Sequence, residues 1–344
     1  MSESLSKALR PEILYPILAE HFACKTDQLR VEPIVAGFSN LTFRIFHPDG
    51  TAILRRAPLG LKVAKGHDML REYRWLEALA AAGFGLSPKV YRAYADESFI
   101  GSPFYLMEDV SGPILRGRVP QKLGLEAADF ARLSESALQT QLDLHRLPIS
   151  SPELAAFDKG EGYTQRQVEG WIGRYQQAAT DELPAMEEAA DYLRGALPKK
   201  EPAYTVVHND YKYDNLVLHE DPAAGIRCIL DWEMASIGNP LMDVGTTLAY
   251  WAEPDDAEIL KQFNCSHLPG NLRRAEWVAR YADAQGIREQ DLSYYQVFGL
   301  FKVAVIAQQI YKRYTLGFSD DPRFGMLIEV VKAAASRTQP LLRT

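Results

Sequence analysis

The spacing of apolar residues alternates between helical and β-strand periods along the first third of the chain. Apolar positions at helical spacing predict helices over Pro11 to Phe22 and Gly66 to Ala82. Short runs rich in Val, Ile, Thr and Phe, separated by turn residues, are typical of antiparallel strands. The predicted strands are Leu29 to Val35, Leu41 to Phe46, Thr51 to Arg55, Lys89 to Tyr94 and Pro103 to Val110. We therefore expect an antiparallel sheet of about five strands with one inserted helix.

Beyond Gly112 long amphipathic segments dominate, and they predict a mainly helical second part. The predicted helices are Glu126 to Leu147, Tyr163 to Ala179, Glu182 to Leu197, Leu272 to Ala284, Asp291 to Tyr314 and Arg323 to Ser336. One β-like interruption, Tyr204 to Trp232, contains two short apolar runs around a polar loop. The predicted fold class is α+β, with a β-rich lobe over residues 1–107, a helical lobe over residues 108–344, and a cleft between them.

Composition excludes several classes of function. Asp and Glu number 45 against 38 Lys and Arg, and no basic run is dense enough to follow a phosphate backbone, so nucleic acid is not expected as a partner. The three cysteines are isolated in the sequence, which suits a reducing compartment. The N-terminus lacks the apolar block of a signal peptide, and no apolar stretch is long enough to span a membrane. These features predict a cytoplasmic globular protein without a membrane partner.

Polar side chains cluster in the segment HNDYKYDN, residues 208–215, and Asp231 follows sixteen residues after Asn215. A solvated turn would use similar residues, but so many polar groups beside apolar runs are costly without partners. A divalent cation with a polyphosphate would supply those partners. Amide and carboxylate oxygens suit Mg²⁺, so Asn215 and Asp231 are the predicted metal ligands. Asp210 would take the proton of an acceptor hydroxyl, and Lys212 would bring positive charge to the transferred phosphoryl group.

The pattern HxDxKxxN matches the HRDxKxxN catalytic loop of eukaryotic-type kinases, with Asn209 in place of the Arg. Asp231 and Trp232 stand where those kinases have Asp-Phe. The chain here resembles the aminoglycoside phosphotransferase and choline kinase-like family, whose loop is usually HGDxxxxN. This resemblance implies a bilobal protein kinase-like fold, with ATP and Mg²⁺ as cofactors. It also implies that His208 and Asp243 orient the loop and take no part in the chemistry.

The same resemblance implies a nucleotide clamp in the β-rich lobe. Arg55 occupies the third strand where the kinase pattern VAIK has its Lys, and Glu72 on the next helix is its predicted partner. Arg56 points to the opposite face of the strand, so an error of one residue in register would exchange the two arginines. The loop before the second strand is predicted to cover the phosphates, although an ordinary hairpin turn would look similar. Its candidate contacts are Gly37, Ser39, Asn40 and Thr42.

The last strand of this lobe is predicted to be an edge strand that ends at the linker between the lobes. Edge strands have unpaired backbone groups, which could meet the edge of an adenine ring. The carbonyl of Glu108 and the N–H of Val110 are the predicted contacts, and Met107 would line the pocket. A simple linker remains compatible with the same residues.

Several segments look closest to the kinase-like domains associated with acyl-CoA dehydrogenases. They are REYRWLEAL, IGSPFYLMEDVSG, LDWEMASIGNPLMDVG and FGLFKVAVIAQQIYKRYTLG. This resemblance implies a small-molecule hydroxyl acceptor, in the first place a hydroxyacyl-CoA, and a functional link to an acyl-CoA dehydrogenase. Aminoglycosides, choline and sugar-like alcohols are the alternatives. A nucleotide-binding pseudokinase with a regulatory role is the alternative of another class, favoured by Arg55 and opposed by the intact Asp210, Asn215 and Asp231.

Charged residues offer contacts for either class of acceptor. The phosphates of CoA would need cations, whereas a polycationic aminoglycoside would favour carboxylates. The candidate cations are Arg166, Arg174, Lys302, Lys312 and Arg313, and the candidate acids are Glu233, Glu253, Asp255 and Asp256.

Overall fold

The computed structural model describes residues 9–34, 40–57, 68–116, 119–262, 264–319 and 321–343. The chain divides into two compact units. Residues 1–111 and 228–234 form the first unit, and residues 112–227 and 235–344 form the second. Asp231 therefore belongs to the first unit, although the chain on either side of its short segment belongs to the second.

The first unit is built on a five-stranded antiparallel sheet with the strand order β1-β2-β3-β5-β4. Its strands are β1 (Arg30–Ile34), β2 (Leu41–His47), β3 (Gly50–Arg56), β4 (Val90–Tyr94) and β5 (Phe104–Glu108). Helix α1 (Pro11–His21) precedes the sheet, and helix α2 (Met69–Ala81) joins β3 to β4. The sheet with its inserted helix confirms the predicted β-rich part of the fold.

Strand β5 is not the edge strand that the sequence predicted. It lies between β3 and β4, where Glu108 is paired with Ala52 and its backbone N–H donates to the Lys89 carbonyl at 2.8 Å. The edge is β4, which follows α2 in the chain but pairs outside β5. The backbone N–H of Glu108 is therefore already used by the sheet.

Alternation along β3 separates two faces of the sheet. Ala52 and Leu54 pack with Phe43, Phe104 and helix α1 in the hydrophobic core on one face. Arg55 points to the other face, toward α2. This alternation places the arginine of the predicted clamp beside α2.

The second unit is mainly helical, as predicted. Its helices are α3 (Val119–Lys122), α4 (Ala127–His145), α5 (Pro152–Ala155), α6 (Tyr163–Ala178), α7 (Pro184–Gly195), α8 (Pro240–Tyr250), α9 (Glu258–Lys261), α10 (Arg274–Gln285), α11 (Ser293–Thr315), α12 (Pro322–Gly325) and α13 (Leu327–Thr338). Helix α11 packs against α6, α8 and α13 and forms the centre of the unit. None of the helices in the described ranges is long and apolar enough to cross a lipid bilayer.

Four short strands lie in the predicted β-like interruption and just after it. They are β6 (Thr205–Val207), β7 (Leu216–Leu218), β8 (Ile226–Ile229) and β9 (Ser236–Gly238). Strand β6 pairs with β9 and ends at the polar loop, whereas β7 begins directly after Asn215. The loop is therefore held at both ends by sheet hydrogen bonds. The unit boundary falls inside β8, which pairs with β7.

Candidate active site

In the first unit, Arg55 lies among three carboxylates. Its guanidinium is 3.0 Å from Glu72 Oε1, 2.9 Å from Asp231 Oδ1 and 3.9 Å from Glu233 Oε2. Burial disfavours the charge of Arg55, but the three carboxylates outweigh burial, and the pKa of Arg55 is raised well above its usual value. The ion pair between Arg55 and Glu72 that the sequence predicted is present, and the strand register is correct. Arg56 is buried elsewhere and donates to the Ile100 carbonyl at 2.9 Å.

Asp231 is held in an unusual backbone conformation. Its φ is +68°, in the left-handed region that residues other than glycine rarely adopt. The next residue, Trp232, is buried, and its indole N–H donates to the Ile229 carbonyl at 2.8 Å. Trp232 also packs edge-on against Phe84, with 5.8 Å between the ring centroids. These contacts hold the turn, and the Asp231 side chain stays 28% exposed, accessible to a ligand.

Of the predicted phosphate-loop residues, Gly37 and Ser39 lie outside the described residues. Thr42 lies on β2 directly opposite Arg55 in the β2–β3 pairing. Asn40 donates from its side chain to Glu233 at 2.6 Å. Two of the four candidates are therefore placed beside the Arg55 cluster.

The predicted adenine contacts lie at the end of β5. Met107 is buried in the sheet, and Glu108 is its last strand residue. Val110 comes after the strand, outside the backbone pairing of the sheet. Because β5 is internal to the sheet, the Glu108 N–H is already bonded to the Lys89 carbonyl, and the predicted adenine contact of Glu108 is its own carbonyl.

In the second unit, Asp210 is the centre of a polar cluster. Lys212 Nζ is 2.9 Å from Asp210 Oδ2, and Asn215 Nδ2 donates to the same oxygen at 2.9 Å. Asn215 Nδ2 also donates to the backbone carbonyl of Asp210, so the amide oxygen of Asn215 is directed away from these contacts. Burial disfavours the charge of Lys212, but Asp210 outweighs burial and raises the Lys212 pKa, so the amine stays protonated. Asp210, Lys212 and Asn215 are thus brought together as the sequence predicted.

Asp243 on α8 holds the backbone of the polar loop, residues 208–215, through hydrogen bonds. Its carboxylate accepts the backbone N–H of His208 at 3.1 Å and that of Asn209 at 2.6 Å. His145 contacts the same carboxylate at 3.0 Å through Nε2 and Tyr281 at 2.7 Å through Nδ1. Burial would raise the pKa of Asp243, but its contacts with His145 and the loop outweigh burial and lower it. His208 Nδ1 accepts the backbone N–H of Asp210 at 3.2 Å, as expected of an orienting residue.

Three residues contact the loop in a way that the sequence did not predict. Tyr163 hydrogen-bonds the Asn209 side chain, with its hydroxyl 3.0 Å from Nδ2. The ring of Tyr250 lies 4.4 Å from Lys212 Nζ. Lys302, predicted only as a candidate CoA contact, is 1% exposed, and its amine donates to the Asn209 carbonyl at 2.5 Å. A dissolved ligand cannot reach this amine, so that prediction was wrong.

The other charged residues predicted to contact the acceptor differ in whether they already form ion pairs or hydrogen bonds within the protein. Arg274 forms ion pairs with Glu253 at 3.0 Å and with Asp256, and Arg273 lies 3.3 Å from Asp255. Of the acids predicted for a polycation, Glu253 and Asp256 are thus paired with Arg274, whereas Asp255 is 81% exposed and Glu233 lies in the first unit. Among the cations, Arg166 and Lys312 donate to backbone carbonyls. Arg174 is exposed and stacks on Trp171, with its Cζ 4.4 Å from the ring centroid.

The donor set is compatible with a magnesium nucleotide. Within the described ranges, no three His, Cys, Asp or Glu side chains are grouped as a metal site. Mg²⁺ typically uses one or two protein oxygens together with substrate phosphates and water, so a dedicated cage is not required. Each unit holds one oxygen of this kind, the partly exposed carboxylate of Asp231 in the first and the amide oxygen of Asn215 in the second.

Comparisons with known proteins agree on one family. Residues 30–294 match the family described as phosphotransferase enzyme family. A Homo sapiens protein, acyl-CoA dehydrogenase family member 11, is 32% identical over 303 residues. The match covers 87% of this chain but only 38% of that protein, so the chain spans well under half the length of this relative.

Two solved structures show the same fold. A Ralstonia eutropha JMP134 protein, provisionally assigned as an aminoglycoside phosphotransferase, has a TM-score of 0.78 and 27% identity, covering 96% of this chain and 98% of its own. A thermostable variant of an aminoglycoside phosphotransferase, in a ternary complex with ADP and hygromycin B, has a TM-score of 0.64 at 12% identity. That match covers 96% of this chain and 98% of the other. These two structures confirm the predicted fold class. The family match and the human relative confirm the predicted resemblance, including the subgroup of acyl-CoA dehydrogenase-associated domains.

Proposed function

Because the chain belongs to the phosphotransferase enzyme family, and is by fold and family a small-molecule kinase, we propose that it transfers the γ-phosphoryl group of Mg-ATP to a hydroxyl group, with a hydroxyacyl-CoA as acceptor. The arrangement of Asp210, Lys212 and Asn215 is the observation that supports this best. A regulatory pseudokinase would have no need to keep Lys212 and Asn215 each within 3 Å of the Asp210 carboxylate.

Asp210 is the proposed base or orienting group for the acceptor. Phosphoryl transfer depends mainly on positioning and on stabilising charge, so a carboxylate that holds the hydroxyl in line is the central requirement. The Asp210 side chain is 12% exposed, enough for contact with one hydroxyl while its other contacts are kept. Lys212, which stays protonated, stabilises negative charge on the transferred group.

The residues proposed to bind the nucleotide are those predicted from the sequence. Arg55, fixed by Glu72, contacts the α- and β-phosphates, and Thr42 and Asn40, with Gly37 and Ser39, cover them. Glu108 and Val110 meet the adenine edge beside Met107. We assign the phosphate contacts of this clamp to a lobe of residues 1–107 and the catalytic and acceptor groups to residues 108–344. The ADP complex of the aminoglycoside phosphotransferase supports an adenine nucleotide.

Asn215 and Asp231 are the proposed ligands of Mg²⁺. A bound ion would supply positive charge to the phosphates of the nucleotide. In the structure Asp231 Oδ1 accepts from Arg55, and this contact orients the carboxylate. Asn215 serves the catalytic loop at the same time, because its amide N–H groups hold Asp210.

The acceptor is proposed from the relatives and from charge. The acyl-CoA dehydrogenase name of the human relative points to acyl-CoA chemistry and to a functional link with such an enzyme. The pairing of Glu253 and Asp256 with Arg274 disfavours a polycationic aminoglycoside. Arg174 carries an exposed guanidinium held on Trp171, which suits an anionic group such as a CoA phosphate. Choline and sugar-like alcohols remain the alternative acceptors.

An Asp210→Asn variant tests the proposed reaction. It should bind ATP with nearly unchanged affinity and lose turnover by about 10²–10⁴-fold, because the positioned carboxylate is removed while the nucleotide contacts remain. Turnover is measured as ATP-dependent mass gain in a screen of hydroxyacyl-CoA thioesters, aminoglycosides, choline and sugars. Asp283→Asn, at an exposed position on α10, is the matched control and should behave as the wild type.

Two results would contradict the proposal. Near-normal transfer by Asp210→Asn would remove this loop from the chemistry. ATP binding without any transfer or ATP hydrolysis by the wild type would favour the pseudokinase alternative. Mass gain on an aminoglycoside but not on any CoA thioester would keep the reaction and change the acceptor.

A further inference from the structure

Lys302 is a buried cation in the middle of α11. It is 1% exposed, and its amine has a hydrogen bond to the backbone carbonyl of Asn209 at 2.5 Å. The amine also lies 5.5 Å from the centre of the Trp171 ring, on α6. Burying an ammonium group costs several kcal/mol even after relaxation of the surroundings, so a residue other than lysine would be expected if packing alone mattered.

The carbonyl that Lys302 holds belongs to a strained residue. Asn209 has a φ of +65°, and the carboxylate of Asp210 follows it directly in the chain. Its N–H is held by Asp243, its side chain by Tyr163, and its carbonyl by Lys302. Three helices, α8, α6 and α11, thus contribute one contact each to the same residue. Loss of the contact to the carbonyl would allow the peptide plane between Asn209 and Asp210 to change its orientation.

We propose that Lys302 is a positioning residue for phosphoryl transfer, which fixes the Asn209 carbonyl and thereby the direction of the Asp210 carboxylate. The inference rests on the proposed function for its effect on turnover. Its effect on the loop is independent of that function. The protonated amine gives a charge-assisted hydrogen bond, stronger than the one a neutral donor would make.

The charge on Lys302 depends on pH. Burial is the largest influence and lowers the pKa to about 8. The carboxylates of Asp210 and Asp243 oppose this effect, whereas Lys212 and Arg174 add to it. The ring of Trp171 is the remaining group that faces the amine. Lys302 is therefore protonated below pH 8 and loses its charge as the pH rises through that value, so the loop should loosen on the alkaline side.

A Lys302→Met variant tests the proposal. Methionine has a similar length and is apolar, so it removes the donor and the charge with little change in volume. We expect kcat to fall by about 10- to 100-fold with little change in the KM for ATP, because a small displacement of a reacting group has effects of this size. The alkaline fall of kcat near pH 8 in the wild type should be absent from the variant.

Gln308→Met is the matched control. Gln308 is also buried on α11 and also donates to a backbone carbonyl, that of Ala178, but it does not contact the loop. This variant should keep both the wild-type kcat and the alkaline fall. An unchanged kcat in Lys302→Met, or an equal loss in Gln308→Met, would overturn the proposal and leave Lys302 a structural residue.

Hydrogen exchange gives a readout that does not need an acceptor. Exchange of the amides of residues 208–215 should accelerate in Lys302→Met and remain at the wild-type level in Gln308→Met. If Lys302→Met does not fold, the wild type compared at pH 7 and pH 9, after correction for the intrinsic pH dependence, should show the same loss of protection in this loop. Unchanged protection would refute the positioning role. Faster exchange in a protein that transfers no phosphoryl group would support positioning and refute the proposed function.

Discussion

Asn209 illustrates how a single backbone angle can account for a residue in a catalytic motif. The related family usually has glycine at this place, and the backbone here adopts the left-handed region that glycine enters at no steric cost. Asparagine is one of the few other residues that tolerate it. The residue at this position must therefore tolerate the left-handed conformation, and its side chain adds a contact with Tyr163.

Substitutions at Asn209 should separate these two contributions. Asn209→Gly keeps the backbone conformation and should retain most of the wild-type kcat and melting temperature. Asn209→Val forces a β-branched residue into the left-handed region and should cost about 1–3 kcal/mol, with a large loss of kcat. Thermal denaturation and steady-state kinetics measure both effects. A glycine variant as impaired as the valine variant would show that the Tyr163 contact dominates.

Part of the site could be predicted because it depends on local order in the sequence. The resemblance of the third strand to the VAIK pattern identified Arg55 rather than Arg56, and the spacing within residues 208–215 predicted the grouping of Asp210, Lys212 and Asn215. Lys302 lies 92 residues after Asp210 on an apolar helix, so only the packing of α11 brings its amine to the loop. No sequence pattern distinguishes it from a solvated lysine.

At the scale of the elements, α8 and α11 cross with their backbones in contact. A Cβ atom on Gly245 would collide with the carbonyl of Tyr295, and one on Gly299 would collide with the carbonyl of Gly245. The two helices carry Asp243 and Lys302, which hold the N–H and the carbonyl of Asn209. The glycine pair therefore sets the distance between the two supports of the catalytic loop.

Adding one methyl group at this crossing should disturb both stability and turnover. Gly299→Ala should cost about 1–3 kcal/mol, because the helices must separate to admit it, and kcat should fall with the displaced supports. Gly173→Ala on α6 is the control, since nothing lies within 4 Å of its added Cβ. Alanine there should stabilise the protein by about 0.5–1 kcal/mol through its better helix propensity. Urea denaturation compares the two, and equal effects would contradict the close crossing.

The sequence did not predict α8, although it predicted all the longer helices of the second unit. Every residue from Leu241 to Ala249 is buried, so the helix has no polar face and no amphipathic period. The available signal was at its start. Asn239 caps the helix by accepting the Leu241 N–H, and Pro240 occupies the first turn. Strands β7 and β9, with three residues each, are too short for any periodicity to be recognised.

At the scale of the whole molecule, the pH dependence of stability depends on two carboxyl groups whose pKa values are shifted in opposite directions. Asp243 has a lowered pKa, so its contribution is lost only in strong acid, below its ordinary value of 3.8. Burial raises the pKa of Asp214 to about 6, against the opposing charges of Lys212 and Arg116. A carboxyl with a raised pKa favours the folded state while it is protonated, so this advantage fades as the pH rises from 3.8 to about 6.

An Asp214→Asn variant should remove this dependence. Relative to the variant, the wild type should lose about 2 kcal/mol of stability between pH 4 and pH 7, from 1.36 kcal/mol for each pKa unit. The measurement is the free energy of unfolding in urea at several pH values. Parallel curves for the two proteins would show that Asp214 is ionised throughout this range.

The fold class and the family could be predicted from the whole chain. Which residues make up the first unit could not be predicted. Residues 228–234 join a unit whose other residues end at 111, and nothing in their apolar and acidic pattern indicates this partner. The segment brings Asp231 and Glu233 to Arg55. This approach is determined by tertiary packing alone.

The first unit is made of two separate stretches of the chain, and this affects the order in which the unit can be completed during synthesis. The ribosome must add 123 residues after residue 111 before residue 234 is present. At about 5–20 residues per second this takes roughly 6 to 25 s, long compared with the folding of a small sheet. For that interval the nascent β-sheet has Glu72 but lacks Asp231 and Glu233. A growing chain shorter than 228 residues therefore carries an arginine that faces only one of the three carboxylates surrounding it in the finished protein.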